Sequence, residues 1–213
     1  MDYDDENDRI TMFFNHCMSG RDSHRAAFSA LEQKLSSELG LNIRLDIFTE
    51  QTAKAFNEQW KPILDEDEDL RRDRYLSAMS IESEFYCKKA GENLSRVFND
   101  GYDPFHFKLA IWVDDELCGL AKGGHSAETE RDYISVHVME GSPRKDHPLK
   151  GQIARIIDEA SIAYAEQIGV SKIARMGPYS DGAKNYHENN GMELEAITFN
   201  KDGMKSRAYV RNI

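Results

Sequence analysis

Proline, cysteine and long apolar runs are all scarce in this sequence. Five prolines in 213 residues, with no segment rich in proline or serine, exclude a collagen-like or low-complexity chain. The three cysteines, Cys17, Cys87 and Cys118, are odd in number and widely spaced. We therefore expect reduced thiols rather than a disulfide framework or a zinc site. No run of about 18 apolar residues occurs, which argues against a membrane-spanning helix.

The first residues are acidic where a secretory signal peptide would be basic. Together with the expected reduced thiols, this start predicts a cytoplasmic protein that is not attached to a membrane. The chain is long enough to bury a core without disulfides or metals, and 40% of its residues are hydrophobic. We expect one globular domain, or one domain with an extension.

The net charge is −11, from 27 Lys and Arg against 38 Asp and Glu. This excess of acid argues against a nucleic-acid-binding surface. The charge is unevenly divided, because residues 1–140 contain 16 basic and 29 acidic residues, whereas residues 141–213 contain 11 basic and 9 acidic residues. An anionic ligand would therefore be better accommodated by the C-terminal part.

The N-terminal half predicts a helix over 23–39 that ends at Gly40, a strand over 41–48 and a helix capped by Thr49. Pro62 and the acidic run 65–69 predict the end of this helix or a kink in it. Residues 70–98 look helical, and a turn follows over 99–104. We divide the chain into residues 1–40, an acidic segment with an extra helix, and a domain over 41–213.

The C-terminal half alternates strands and helices. It predicts a hairpin of 105–113 and 117–123, a strand over 132–139, a helix from Ile153 to near Gly169, and a strand over 170–176. A short helix over 183–189 and a hairpin of 192–199 and 205–210, with a turn at 200–203, complete the order. The order predicts an α/β (α+β) fold, a mixed sheet with helices on its faces.

The loop from Glu140 to Gly151 joins a predicted strand to the start of a long predicted helix. Backbone N–H groups at a helix start lack partners within the helix, and the helix dipole is positive there, so an anion such as a diphosphate is favoured. Arg144, Lys145 and Lys150 add positive charge. The alternative is a solvated basic loop without a ligand.

Two motifs in this region resemble those of the GNAT superfamily, the Gcn5-related N-acetyltransferases. The family's central motif, roughly Arg/Gln-x-x-Gly-x-Gly/Ala followed by an aliphatic helix, is matched in part by residues 149–160, with Gly151 at a glycine position and Ile153 where the second glycine would be. The later motif, Ala-x-x-Phe/Leu-Tyr-Glu-x-x-Gly-Phe, is similar to residues 183–192, with His187 in the tyrosine slot and Met192 in place of phenylalanine.

The resemblance implies a mostly antiparallel central sheet with helices on both faces, and acetyl-CoA as the acyl donor. Val138, Met139 and Glu140 would line the pantetheine arm of the coenzyme. The backbone amides from Lys150 to Ala154 would hold its diphosphate, with positive charge from Arg144 and Lys145. The implied coenzyme-binding residues are Val138, Met139, Arg144, Lys145, Lys150, Gly151, Gln152, Ile153 and Ala154.

The resemblance also implies a proton donor for the departing thiolate, and Tyr186 and His187 are the two candidates. They are adjacent on a predicted helix and point about 100° apart, so only one can face the thioester. For the base that deprotonates the amine the candidates are Glu140, His137 and Asp132, with water as the alternative. By strand alternation, His137 shares a face with Met139 and lies opposite Val136 and Val138.

The leading hypothesis is an acetyl-CoA-dependent N-acyltransferase that acts on a primary amine, small molecule or protein, by direct attack on the thioester. No metal is proposed, because the histidines show no metal-ligand spacing. The acidic run 65–69 would attract a cationic acceptor or is a solvated helix end. The rival hypothesis is a GNAT-like binding or regulatory module without catalysis, and residues 1–40 are a candidate for dimerisation.

Overall fold

The computed structural model describes residues 22, 24–67, 106–126, 133–176, 181–198 and 205–213. The predicted helix over 70–98, the predicted turns at 99–104 and 200–203, Cys17, Cys87 and Asp132 lie outside the described residues.

Seven strands form one sheet in the order β1-β2-β3-β4-β5-β7-β6. Every neighbouring pair is antiparallel except β4 and β5, which are parallel. The strands are β1 Ile43–Asp46, β2 His106–Val113, β3 Glu116–Ser126, β4 Tyr133–Gly141, β5 Lys172–Met176, β6 Glu193–Thr198 and β7 Lys205–Asn212.

The described helices cover both faces of this sheet. The helices are α1 over 24–39, α2 Glu50–Ala55, a π-helical turn Phe56–Trp60, α3 Lys61–Glu66, α4 Ile153–Ile168 and α5 Asp181–Asn189. The larger core contains apolar residues of α1 and α4, and a second core contains those of α2, the π turn and α3. The predicted fold class, a mixed and mostly antiparallel sheet with helices on both faces, is confirmed.

Two helix ends lie at the capping residues that the sequence predicts. Thr49 caps α2 through a capping box with Thr52, and Gly169 ends α4 in the left-handed conformation at φ +77°. The helix that carries Trp60 does not end at Pro62. It widens into the π turn and resumes as α3, with Pro62 in the first turn of α3.

Helix α1 covers the outer edge of strand β1. The Ile43 amide donates to Ser36 Oγ at 3.0 Å, and the Leu45 amide donates to Glu32 Oε1 at 2.6 Å. These side chains occupy edge groups that would otherwise accept a further strand. On its other side α1 meets α4, where Lys34 bonds Glu159 at 2.8 Å. The helix over 24–39 is thus packed into the larger core.

A β-bulge interrupts the pairing of β3 with β4. Lys122 pairs with Val138 and Gly123 pairs with Val136, so His137 is the extra residue. The bulge reverses the alternation beyond it, because Val136 and Met139 both pack on the larger core and Val138 packs on the second core. The predicted common face of His137 and Met139, opposite Val136 and Val138, is therefore wrong.

Gly123 permits this bulge, and we predict that Gly123→Ala destabilises the protein severely. An added Cβ would lie 1.8 Å from the Ser135 carbonyl oxygen, a backbone atom that cannot rotate away. We expect the free energy of unfolding to fall by at least about 3 kcal/mol, at the upper end for overpacking. Urea unfolding followed by circular dichroism measures this.

Gly182→Ala is the matched control, since a Cβ at this position in α5 meets nothing within 4 Å. We expect it to be neutral or slightly stabilising, because alanine favours the helix by about 0.5–1 kcal/mol over glycine. Equal stability of the two variants would contradict the tight approach of β3 to β4 at Gly123.

Candidate active site

Strands β4 and β5 separate part-way along the sheet. They pair only over three residues of each strand, and the last pair is Val136 with Arg175. Beyond it β4 stays paired with β3 as far as Gly141, while no described strand pairs with its other edge. We call this opening the fork. Val138, Met139 and Glu140, the predicted pantetheine residues, are half-buried along it.

The loop after β4 leads from the fork to the start of α4. The amides of Lys150 and Gln152 donate to the carbonyls of His147 and Leu149 and so close turns within the loop. The amides of Gly151, Ile153 and Ala154 have no hydrogen-bond partner among the described residues, and no side chain caps α4. Three of the five predicted amides can therefore bind an anion at this helix start.

The isoleucine in the second glycine position does not obstruct this helix start. Ile153 is 9% exposed, and its side chain packs against Gly119 and Gly141. A Cβ on Gly119 would lie 2.9 Å from Ile153 Cδ1, so the missing side chain of Gly119 makes room for Ile153. The side chain is thus accommodated in the core, and the first-turn amides keep their access.

The three predicted cations of the loop differ in their surroundings. Arg144 Nη1 lies 3.2 Å from Glu116 Oε1, and Arg144 Nη2 lies 3.3 Å from Asp146 Oδ1. The hydrogen bond from Arg144 lowers the pKa of Asp146. Lys145 and Lys150 are exposed and form no ion pair with any described residue. The two lysines are therefore better placed than Arg144 to meet an anionic ligand.

Tyr186 is bonded to a buried ion pair that the sequence analysis did not single out. Its hydroxyl donates to Asp158 Oδ2 at 3.0 Å, and Asp158 Oδ1 accepts from Arg175 Nε at 2.7 Å and from Nη2 at 2.5 Å. Burial, together with the charge of Asp158, raises the pKa of Tyr186 above its ordinary value. The sequence did contain a signal for this pair. Asp158 is a charged residue within the apolar stripe of α4, and Arg175 is a charged residue within a strand.

His187 lies on the other side of the same helix and is 2% exposed. Its ring is 5.4 Å from the ring of Tyr186 and 5.5 Å from that of Tyr209, between centroids. Nδ1 of His187 has no hydrogen-bond partner among the described residues, and burial lowers the pKa of the ring. Of the two predicted proton donors, Tyr186 is the more accessible and His187 is enclosed.

His137 is exposed at the bulge beside the fork. Its Nε2 lies 2.8 Å from Ser135 Oγ, and this hydroxyl donates to the Gly124 carbonyl at 3.0 Å. Because the single hydroxyl proton goes to Gly124, the serine oxygen accepts from Nε2–H. The imidazole is thereby held in the Nε2–H tautomer. Glu140, the other described candidate base, is half-buried on the same strand.

Cys118 lies beneath the loop, and the Ser142 amide donates to its carbonyl at 2.8 Å. Burial and the nearby Glu116 carboxylate raise the pKa of the Cys118 thiol to about 12. A thiol of this kind is unreactive near neutral pH.

Comparison with known proteins gives structural relatives only. The chain matches no family model and no curated protein. The structure is similar to a GNAT-family acetyltransferase from Staphylococcus aureus Mu50, with 11% identity, 80% of this chain and 98% of the other covered, and a TM-score of 0.48. It is also similar to the GNAT domain of S. lividans PAT, with 15% identity, 80% and 90% covered, and a TM-score of 0.49.

A third similar structure is PaiA N-acetyltransferase from Thermoplasma acidophilum in complex with coenzyme A, with 14% identity, 80% and 99% covered, and a TM-score of 0.46. The first two are GNAT proteins, and the third is an N-acetyltransferase. Within the described residues, no helix combines the length and the apolar character needed to cross a membrane.

We predict that His187 makes the protein less stable in mild acid. Its folded-state pKa is depressed, so as the pH falls below the ordinary histidine value of about 6.5 the unfolded chain binds a proton that the buried ring does not. His187 therefore favours folding less as the pH falls. His187→Phe keeps the ring but cannot titrate, so the loss of stability between pH 8 and 5.5 should be smaller than in the wild type, measured by urea unfolding.

Asn189→Ala, an exposed change on the same helix, is the control and should leave the wild-type pH dependence unchanged. An identical slope for His187→Phe and the wild type would show that the ring is protonated equally in both states.

Proposed function

We propose that the protein is an acetyl-CoA-dependent N-acyltransferase that acts on a primary amine by direct attack on the thioester. The observation that carries this proposal is the fork, where Val138 and Met139 pair with β3 but with no second strand among the described residues, and which leads directly to the uncapped start of α4. A linear amide-containing arm can bind such an edge as an added strand would, and a diphosphate suits such a helix start.

The residues present fit this acyl donor. The edge at Val138 and Met139 would hold the pantetheine arm, and the amides of Gly151, Ile153 and Ala154 would hold the diphosphate. Because both lysines are exposed and unpaired within the described ranges, Lys145 and Lys150 would neutralise its charge. Ile153 and Gln152 contribute through backbone position, and their side chains are not required.

The reaction needs an unprotonated amine and a proton for the thiolate that leaves. The amine nitrogen attacks the carbonyl carbon, the carbon–sulfur bond breaks, and the sulfur takes up a proton. Tyr186 is our candidate for contact with the sulfur, since it is half-buried and its hydroxyl is bonded through Asp158 to Arg175, the last residue of β5 that pairs with β4, whereas His187 is enclosed. For the amine, His137 and Glu140 are the candidate bases, and bulk water is the alternative.

The acceptor is proposed only as a class, a primary amine of a small molecule or a protein. Asp65, Glu66 and Asp67 are exposed at the end of α3, and their negative charge would favour a cation on this side of the molecule. We also propose that the protein acts in the cytoplasm, where the cysteines would stay reduced.

Isothermal titration with acetyl-CoA tests the first step of this proposal, and release of free thiol with a panel of primary amines tests the second. We expect saturable binding and thiol release with at least one amine. If acetyl-CoA at near-millimolar concentration gives no binding, the proposed function is wrong.

We predict that Lys145→Ala with Lys150→Ala weakens coenzyme binding by about tenfold, because removing two partly screened contacts to a diphosphate costs about 1–2 kcal/mol. Arg144→Ala is the matched control. Since Glu116 and Asp146 already engage Arg144, we expect a change of less than about threefold, which is under 1 kcal/mol. A larger loss for Arg144→Ala than for the lysine pair would reverse this assignment.

A second candidate is a coenzyme-binding or regulatory module without turnover. The specific observation in its favour is that His187 occupies the tyrosine slot and is enclosed, while the hydroxyl of Tyr186 is bonded to a carboxylate. Saturable coenzyme binding with no thiol release across the amine panel would favour the module, and measurable release with one acceptor would exclude it.

A further inference from the structure

The buried ion pair of Asp158 and Arg175 contacts Tyr186 directly, because the Tyr186 hydroxyl donates to Asp158. We propose that Asp158 is a positioning residue that orients the Tyr186 hydroxyl at the fork, and that Arg175 fixes Asp158 for this purpose. The proposal rests on the proposed acyl transfer for its kinetic consequence, but the contact itself can be tested without turnover.

Asp158 is held on both carboxylate oxygens. Oδ1 accepts two hydrogen bonds from Arg175, and Oδ2 accepts the Tyr186 hydroxyl. Arg175 Nη2 also donates to Ser161 Oγ at 2.8 Å, so the guanidinium is tied to α4 at two positions three residues apart. A carboxylate held in this way has little freedom to rotate, and neither does a hydroxyl bonded to it.

Arg175 connects this group to the fork through its own backbone. It is the residue of β5 that forms the last pair with β4, opposite Val136, and its side chain is 1% exposed. The residue that forms the last pair between β4 and β5 therefore also bonds the carboxylate that accepts the Tyr186 hydroxyl. The three side chains come from three elements, because Arg175 lies on β5, Asp158 on α4 and Tyr186 on α5.

The orientation has a chemical consequence. A tyrosine hydroxyl has one proton, and here that proton is donated to Asp158, so the oxygen can only accept further hydrogen bonds. The carboxylate also keeps the hydroxyl neutral, since an ionised tyrosine next to Asp158 would place two negative charges together. To protonate the thiolate, the O–H bond must rotate about the Cζ–O bond away from Asp158. A thiolate is a stronger base than a carboxylate, so the hydroxyl turns to it only when the leaving sulfur is present, and until then Asp158 holds the neutral hydroxyl in place.

The first experiment titrates tyrosine ionisation by absorbance near 295 nm in the free protein. Asp158→Asn, the wild type and their Tyr186→Phe counterparts are compared, so that each difference isolates Tyr186. We expect Tyr186 to ionise at lower pH in Asp158→Asn, toward the ordinary value of about 10. Gln167→Ala, an exposed change on the same helix α4, should leave the titration unchanged. Identical titration with and without Asp158 would overturn the proposal.

The second experiment is a double-mutant cycle on acyl transfer. We expect Asp158→Asn to lower kcat by about tenfold with little change in KM, because the coenzyme-binding residues are untouched. In the Tyr186→Phe background the same change should have no further effect, and Asp158→Glu should restore part of the activity. Fully additive losses would mean that Asp158 acts through folding alone and not through Tyr186.

Asp158→Asn leaves the Arg175 charge buried without its partner, so the variant with Arg175→Met added keeps the test available if the single variant does not fold. The tyrosine titration is then read in this double variant, with the same expected shift. If the wild type shows no acyl transfer, the proposed function fails, whereas the titration still decides whether Asp158 holds Tyr186.

Discussion

The ion pair between Arg175 and Asp158 lies beside the point where, among the described strands, β4 and β5 separate. Removing a single member of a buried pair of this kind costs about 3–5 kcal/mol, since the remaining charge has no partner and no water. The ion pair therefore holds β5 and α4 in a fixed position relative to each other. With Tyr186 bonded to the same carboxylate, the short helix α5 is held to this frame as well.

Three glycines also shape the fork and its surroundings. Gly123 allows the backbone of β3 to approach β4 at the bulge, and Gly119 and Gly141 leave the space that Ile153 fills. Small residues on the strands and a branched residue on α4 are therefore complementary. This packing brings the start of α4 against the end of β4 at Gly141, in the stretch of β4 that pairs only with β3 among the described strands.

Much of the fold could be predicted because the spacing of apolar residues, and the capping and turn residues at the ends of helices and strands, are local features of the sequence. The stripe of α4 and its end at Gly169 are read directly from the residues, as is the cap at Thr49. The bulge at His137 could not be predicted, since it depends on Gly123, which lies 14 positions away on the neighbouring strand. The pair of Asp158 and Arg175 was missed because only the fold brings a helix residue and a strand residue together.

The two edges of the sheet are unequal. Side chains of α1 occupy the outward amides of β1, whereas no described element pairs with the outer edge of β6. A sheet with one capped edge can be extended only at the other, so two copies joined edge to edge would present capped edges at both ends. Association through strands would then stop at a closed pair and could not grow into a filament.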